Sequence, residues 1–251
     1  MIDTITFDLW NTLIYTSPED NLKFKNKRIE GFIEILEQKG VNLSREKMEE
    51  AYDKSFERYK LIQNKEEDIS TREQVKIILG CLGNPKLKDL NEEVLKKLDR
   101  VLANQILSEL PDLVEGSKET LSYLKKRNYK IGLICNTGRT PGKVLREVLK
   151  RKNLIQFFEV LTFSDELRVR KPNPEIFLST LKLLHSSPNS ALHIGDELKS
   201  DISGAKRCGM KAGWIVPNWD GCQTDFLPEE KPDLILPNLT FLKKILGPTD
   251  P

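Results

Sequence analysis

The chain has 251 residues, 31% of them charged and 38% in the hydrophobic set, with a formal net charge of +2. That length buries one large core or two modest ones, and the near-neutral balance gives no reason to expect nucleic acid or a membrane surface as the main partner. No stretch approaches the run of about 20 apolar residues that spans a bilayer, and Asp3 and Asp8 interrupt the first apolar stretch, unlike a secretory signal.

Four cysteines, Cys81, Cys135, Cys208 and Cys222, stand apart with no C-x-x-C spacing, so a zinc site has no support. Scattered cysteines in a chain able to bury a core point to reduced thiols and a cytoplasmic home. With only His185 and His193 present, histidine-based metal or triad chemistry is not expected.

In chain order, Ile2 to Phe7 is β-branched and aromatic and runs into Asp8 and a polar turn. That is the pattern of a buried strand ending at a carboxylate. From about Glu19 to Leu110 a helical spacing takes over. Ile29, Phe32, Ile33 and Leu36 form one stripe. A second helix follows Ser44 and runs through Ala51, Phe56 and Tyr59. A third opens near Ser70 or Thr71 and carries Val75, Ile78 and Leu79, and a fourth carries Val94, Leu98, Leu102 and Ile106. No strand pattern interrupts them, which predicts a helical subdomain of about four helices.

Beyond Leu110, helix and strand alternate. Strands are expected at Lys130 to Cys135, Phe158 to Phe163, Ala191 to Ile194, Ala212 to Val216 and Leu234 to Leu236. Between and after them lie helical stretches at Gly116 to Lys126, Thr140 to Lys150, Pro174 to His185, Ser200 to Cys208 and Leu239 to Leu246. This predicts an α/β protein with a doubly wound, Rossmann-like parallel sheet. The helical block interrupts it after the first strand, giving a core of residues 1–15 and 111–251 and an inserted all-helical cap of residues 16–110.

Ligands of such sheets bind beyond the carboxyl ends of the strands. The polar residues there are Asp8, then Asn136 with Thr137, then Asp196, with Asp201 five residues on and Lys171 between the third and fourth strands. Carboxylates packed together raise a pKa or recruit a cation. Lys171 offsets one charge and leaves one or two, which suits a hard divalent metal; magnesium accepts one or two carboxylates and keeps waters for the substrate.

These positions carry a resemblance. Phe7-Asp8-Leu9-Trp10-Asn11-Thr12-Leu13 resembles the first motif of the haloacid dehalogenase-like superfamily, and Ile134-Cys135-Asn136 its second. Lys171-Pro172-Asn173-Pro174-Glu175-Ile176-Phe177 is similar to the third. Gly195-Asp196, with Asp201 ahead of Gly204-Ala205 and Gly209-Met210, is similar to the fourth. All four occur in order, and the helical insert takes the place of the family's cap. The resemblance implies that Asp8 is a nucleophile forming an ester that water cleaves. It implies magnesium held by Asp8, Asp196 and the backbone carbonyl of Trp10, supported by Asp201. Lys171 would balance charge on Asp8 and the substrate, Cys135 and Asn136 would contact the substrate beside Trp10, and the cap would close over a small molecule.

Several positions depart from the family pattern. Most family phosphatases carry an aspartate two residues after the nucleophile as acid and base. Here Trp10 stands there, and indole exchanges no proton near neutral pH. The haloacid dehalogenases also lack that aspartate, because halide leaves without a proton. Their fourth motif, however, normally avoids the metal-binding aspartate that Asp196 supplies, and their tyrosine after the lysine is Phe177 here. Cys135 replaces a serine or threonine, and Asn11 a glycine, which asparagine's access to left-handed backbone tolerates.

Three readings stand at this point. One is a magnesium-dependent phosphohydrolase for substrates with good leaving groups, another a metal-independent dehalogenase, and the third a catalytically silent ligand-binding protein. Blander roles stand beside them: Trp10 as a pocket wall, Cys135 as a small buried residue, His193 as structural, Asp201 as a helix cap.

Overall fold

The computed structural model describes residues 2–87, 89–216 and 226–247, so Cys222 and parts of the expected core lie outside the described residues. Strand β1 (Thr4–Phe7) is buried along its whole length. Its β-branched and aromatic residues fit a position flanked by parallel neighbours on both sides. A tight turn follows. Asn11 takes φ +55°, and Leu13 and Ile14 both donate their amides to the Leu9 carbonyl at 2.9 and 3.0 Å.

The chain then leaves the sheet through β2 (Ile14–Tyr15) and passes through four helices, α1 (Pro18–Glu37), α2 (Arg45–Gln63), α3 (Thr71–Leu82) and α4 (Glu92–Asn104). It returns through β3 (Asp112–Leu113), which pairs antiparallel with β2. Ser17, Ser44, Ser70 and Asn91 cap the four helices by accepting backbone amides with their side chains. Ile29, Phe32, Leu36, Met48, Val75, Ile78, Leu98 and Leu102 share a hydrophobic cluster separate from those on the sheet. Phe24, Ala103 and Ile106 pack with the sheet instead, and Phe56 is exposed.

The remainder alternates: α5 (Ser117–Lys126), β4 (Lys130–Cys135), α6 (Gly142–Arg151), β5 (Val160–Phe163), α7 (Ser164–Leu167), α8 (Pro174–Leu183), β6 (Ala191–Gly195), α9 (Gly204–Arg207), β7 (Lys211–Ile215), β8 (Leu234–Leu236) and α10 (Phe241–Leu246). The main sheet has the order β5-β4-β1-β6-β7-β8 and is parallel throughout. The chain steps from β1 outward to β4 and β5, then returns to the other side of β1 with β6. The strand order therefore reverses at β1, and a crevice opens beyond its carboxyl end.

Two expectations are corrected. The strand expected from Phe158 begins at Val160, because Ile155–Phe157 forms a 3-10 turn. The helix expected from Ser200 is a π-helical stretch, Leu198–Ser203, running into α9. The helical layer also docks directly beside the crevice. Asp68 donates its amide to the Arg168 carbonyl at 3.1 Å, and Arg170 returns one to Glu66 at 3.0 Å. The buried Asp68 carboxylate accepts hydrogen bonds from Tyr59 and from Ser164 on the sheet side.

Candidate active site

The crevice beyond β1, β4 and β6 gathers the four charged residues singled out from the sequence. Asp8 is the first residue past β1 and is pinned by its amide, which donates to the Ile194 carbonyl at 2.8 Å. Lys171 sits on the loop ahead of α8, buried. Its Nζ donates to Asp8 Oδ1 and, at 2.7 Å, to Asp201 Oδ1. One lysine thus bridges two carboxylates, and both pull its pKa above the ordinary lysine value although burial alone would lower it.

Asp201 lies in the π-helical stretch and folds back beneath the end of β6. Its Oδ2 accepts the Glu197 amide at 3.0 Å, and its Oδ1 lies 3.2 Å from His193 Nε2. An ionised carboxylate only accepts, so His193 donates from Nε2, and its Nδ1 accepts from Thr6 Oγ1 at 2.9 Å. Burial depresses the His193 pKa, keeping the ring neutral. Burial would raise Asp201, but Lys171 and His193 outweigh it and hold this carboxyl below the usual range.

The other two carboxyls are less fully compensated. Burial pushes Asp8 up to about 8 against the pull of Lys171, with Asp201 and Asp196 adding to the rise. Asp196, half-buried after β6, accepts a 3.3 Å hydrogen bond from Asn11 Nδ2 and rises to about 6 through burial and the nearby Asp201. Oxygens of Asp8, Asp196 and Asp201 lie within 4.8 Å of one another. A single lysine cannot balance three carboxylates at that spacing, and a hard cation with oxygen ligands relieves the two raised groups. The donor set therefore fits magnesium.

Other positions fall around this cluster. Asn136 brackets the lysine's backbone, accepting the Lys171 amide at 2.8 Å and donating to its carbonyl at 3.0 Å. It also lines the cavity of about 440 Å³ formed with Asp8, Trp10, Lys171, Asp196 and Asp201. Trp10 lies on that cavity's wall and on the wall of a neighbouring one. Cys135 is fully buried, with Sγ directed at the Asn136 carbonyl 3.5 Å away and its thiol pKa raised by burial. It sits beneath the site rather than on the cavity wall. Phe177 packs edge-on against His193 at 5.1 Å between centroids. Trp214 Nε1 donates to the Asp196 carbonyl at 2.8 Å, a support the sequence pattern alone did not single out.

Among the described residues no helix is long and apolar enough to cross a membrane, and Cys81, Cys135 and Cys208 are unpaired.

Known proteins resemble this chain in sequence and fold. The glyceraldehyde 3-phosphate phosphatase of Pyrococcus furiosus is 38% identical over 133 residues, covering 53% of this chain and 54% of that protein. The chain thus spans about half the length of that curated relative. Among solved structures, a HAD phosphatase from Thermococcus onnurineus shares the fold with a TM-score of 0.62 at 22% identity over 98% of both chains. A 2-haloacid dehalogenase from Pseudomonas syringae pv. Tomato shares it with a TM-score of 0.69 at 21% identity, again over 98% of both. The family profile for haloacid dehalogenase-like hydrolase matches residues 2–209. With that match over most of its length, the chain belongs to the haloacid dehalogenase-like hydrolase family.

Proposed function

We propose that the protein is a magnesium-dependent phosphohydrolase that forms a covalent intermediate on Asp8 and acts on a small phosphorylated metabolite with a good leaving group. The observation that carries this reading is the charge imbalance of the crevice: three carboxylates share one lysine, Arg170 on the same wall is paired with Asp68 at 3.6 Å, and among the described residues Asp196 forms no ion pair. A phosphatase's metal supplies the missing charge, whereas a carboxylate substrate of a metal-free dehalogenase would meet Asp196 as a repulsive neighbour. The name of the Pyrococcus relative, a phosphatase, points the same way.

Asp8, Asp196 and the Trp10 backbone carbonyl would hold the magnesium, with Asp201 beside them. When bound it would offset charge on the phosphoryl oxygens and keep Asp8 ionised. Asp8 attacks phosphorus, the bond to the leaving oxygen breaks, and that oxygen departs with its electron pair. Water then attacks the same phosphorus, the bond to Asp8 Oδ breaks, and phosphate leaves with the carboxylate restored. Lys171 Nζ, held between Asp8 and Asp201, offers its positive charge to the phosphoryl oxygens at both steps. Asn136 positions Lys171 through its backbone.

The helical layer, residues 16–110, serves in this reading as a cap that closes over the crevice and selects the substrate. Among the described residues Cys81, Cys135 and Cys208 are unpaired, which supports a reducing, cytoplasmic setting in this reading. One observation favours a second reading: Trp10 removes the proton donor that alkyl phosphates need and that halide does not. A panel reading phosphate and halide release with and without magnesium separates the two. Magnesium-dependent phosphate release that falls together with metal affinity in Asp196→Asn supports the phosphohydrolase. Chelator-indifferent halide release would put the dehalogenase in its place, and failure to trap any adduct on Asp8 would leave a silent binding protein.

A further inference from the structure

A second cavity of about 340 Å³ opens beside the first, and Trp10 and Asn11 belong to both walls. Its chemistry is the reverse of its neighbour's. Where carboxylates outnumber Lys171 and Arg170 on the first, this one is lined by Arg28 from α1 and Arg139 from the loop ahead of α6. Both arginines are more than nine-tenths buried, and among the described residues neither forms an ion pair with a carboxylate.

Arg28 is anchored by Nε, which donates to the Leu102 carbonyl at 2.8 Å. Its two terminal nitrogens donate to no protein acceptor among the described residues. Arg139 donates to two neutral acceptors, Gln74 Oε1 at 3.1 Å and Ser55 Oγ at 2.8 Å, and lies over the Tyr52 ring at 4.8 Å. Its Nε is buried without a partner, as is Thr16 Oγ1 on the same wall. Burial pulls the Arg139 pKa down, and Arg28 is near enough to add its repulsion. Two buried arginines on the wall of one cavity, with no carboxylate among its lining residues, are costly, and the Tyr52, Phe56 and Tyr59 rings around Arg139 offset only part of that cost. The open planar fork of Arg28 suits an oxyanion with two oxygens, and Arg139, whose terminal nitrogens are engaged by Gln74 and Ser55, adds its positive charge beside it.

We propose that this cavity receives a second anionic group of the substrate, so that the substrate is a small phosphorylated compound carrying a carboxylate or a further phosphoryl group that docks on Arg28 and Arg139. This rests on the phosphohydrolase reading of the Asp8 crevice, which receives the phosphoryl group to be cleaved. The shared wall at Trp10 and Asn11 places the two anionic ends of a short molecule in adjoining compartments. Arg28 belongs to the helical layer and Arg139 to the sheet domain, so the anion would also bind the two together.

The test is calorimetric binding to the full chain in magnesium, using phosphonates that cannot be hydrolysed. Phosphonoacetate is compared with its carboxyl methyl ester, and methylenediphosphonate with methylphosphonate. One probe with two anionic groups is expected to bind roughly 10–100-fold more tightly than its single-group partner, as charge-assisted hydrogen bonds to a buried fork imply. The pair that shows it identifies the second group. Arg28→Gln is expected to abolish the preference, and Arg28→Lys to keep part of it, since a point charge remains without the fork.

Equal binding within both pairs by the wild type overturns the proposal, and so does a preference that survives Arg28→Gln in a folded protein. Phosphate release plays no part in this readout. A charge preference without any phosphatase turnover would remove the phosphohydrolase reading and leave the anion site, whereas turnover without a charge preference would remove the anion site alone.

Discussion

Gly195 and Asp201 occupy nearly the same space: a Cβ placed on Gly195 would lie 2.3 Å from Asp201 Cγ and 2.4 Å from its Oδ2. The end of β6 must carry a bare backbone for the carboxylate to tuck beneath it, where Lys171, His193 and the Glu197 amide hold it. The charge arrangement of the crevice therefore depends on a missing methyl group.

Gly195→Ala should push Asp201 out of this seat. Overpacking alone costs roughly 1–3 kcal/mol, and the loss of a buried partner by Lys171 adds to it. The expected outcome is a lower unfolding midpoint together with weaker magnesium binding, measured by denaturant titration and calorimetry. A variant as stable as the native protein and unchanged in metal affinity would show that the strand end slides without disturbing Asp201.

The docking of the helical layer offers a pH-dependent test through Glu73. Its carboxylate completes a capping box with Ser70 at the start of α3, accepting the Ser70 amide at 2.9 Å, and it also accepts from Arg168 on the sheet side. Burial would raise its pKa, but the bonds from Arg168 and Ser70 outweigh that and lower it to about 2, below the ordinary value of 4.5. A depressed carboxyl contributes stability that is present in full above 4.5 and lost as pH falls through about 2. Glu73→Ala should cost about 1 kcal/mol near neutral pH, chiefly through the lost cap, because an exposed ion pair adds little. The gap between variant and wild type should close in acid. A gap that persists unchanged down to pH 2 would assign the effect to packing rather than to the charge.

Much of this architecture is legible in the sequence because local chemistry sets it. Ser44, Ser70 and Asn91 each precede a helical stripe and each caps a helix. The run into Asp8 reads as a buried strand and is one. Asn11 stands where left-handed backbone is needed, and takes φ +55°. What stays hidden depends on contacts between distant segments. The π-helical stretch around Asp201 reflects the fit beneath Gly195, which no helical periodicity encodes. Asn136 could face substrate or backbone by its type alone; folding gives its amide to Lys171. Nothing in their own segments singles out Arg28 and Arg139, and only the packing of the helices on the sheet buries them on one cavity.

Trp10 offers the sharpest test of the chemistry. It stands two residues beyond Asp8, on the wall shared by both cavities, with no proton to give a leaving oxygen near neutral pH. Aryl and acyl phosphates release stabilised anions and need little protonation, whereas an alkoxide feels the missing acid in full. The wild type should therefore favour aryl or acyl phosphates over alkyl phosphates. Trp10→Asp should raise turnover selectively on alkyl phosphates by some part of the ~10²–10⁴ that a positioned acid supplies. The indole lines both cavities, so its removal is expected to change KM for every substrate. The comparison must accordingly be made on kcat across a series of leaving-group pKa values, with magnesium affinity measured in parallel. A steep dependence in the wild type that flattens in the variant places an acid's role at position 10. The same slope in both proteins, with metal bound and fold intact, would show that Trp10 is a wall of the pocket and that protonation of the leaving group comes from elsewhere.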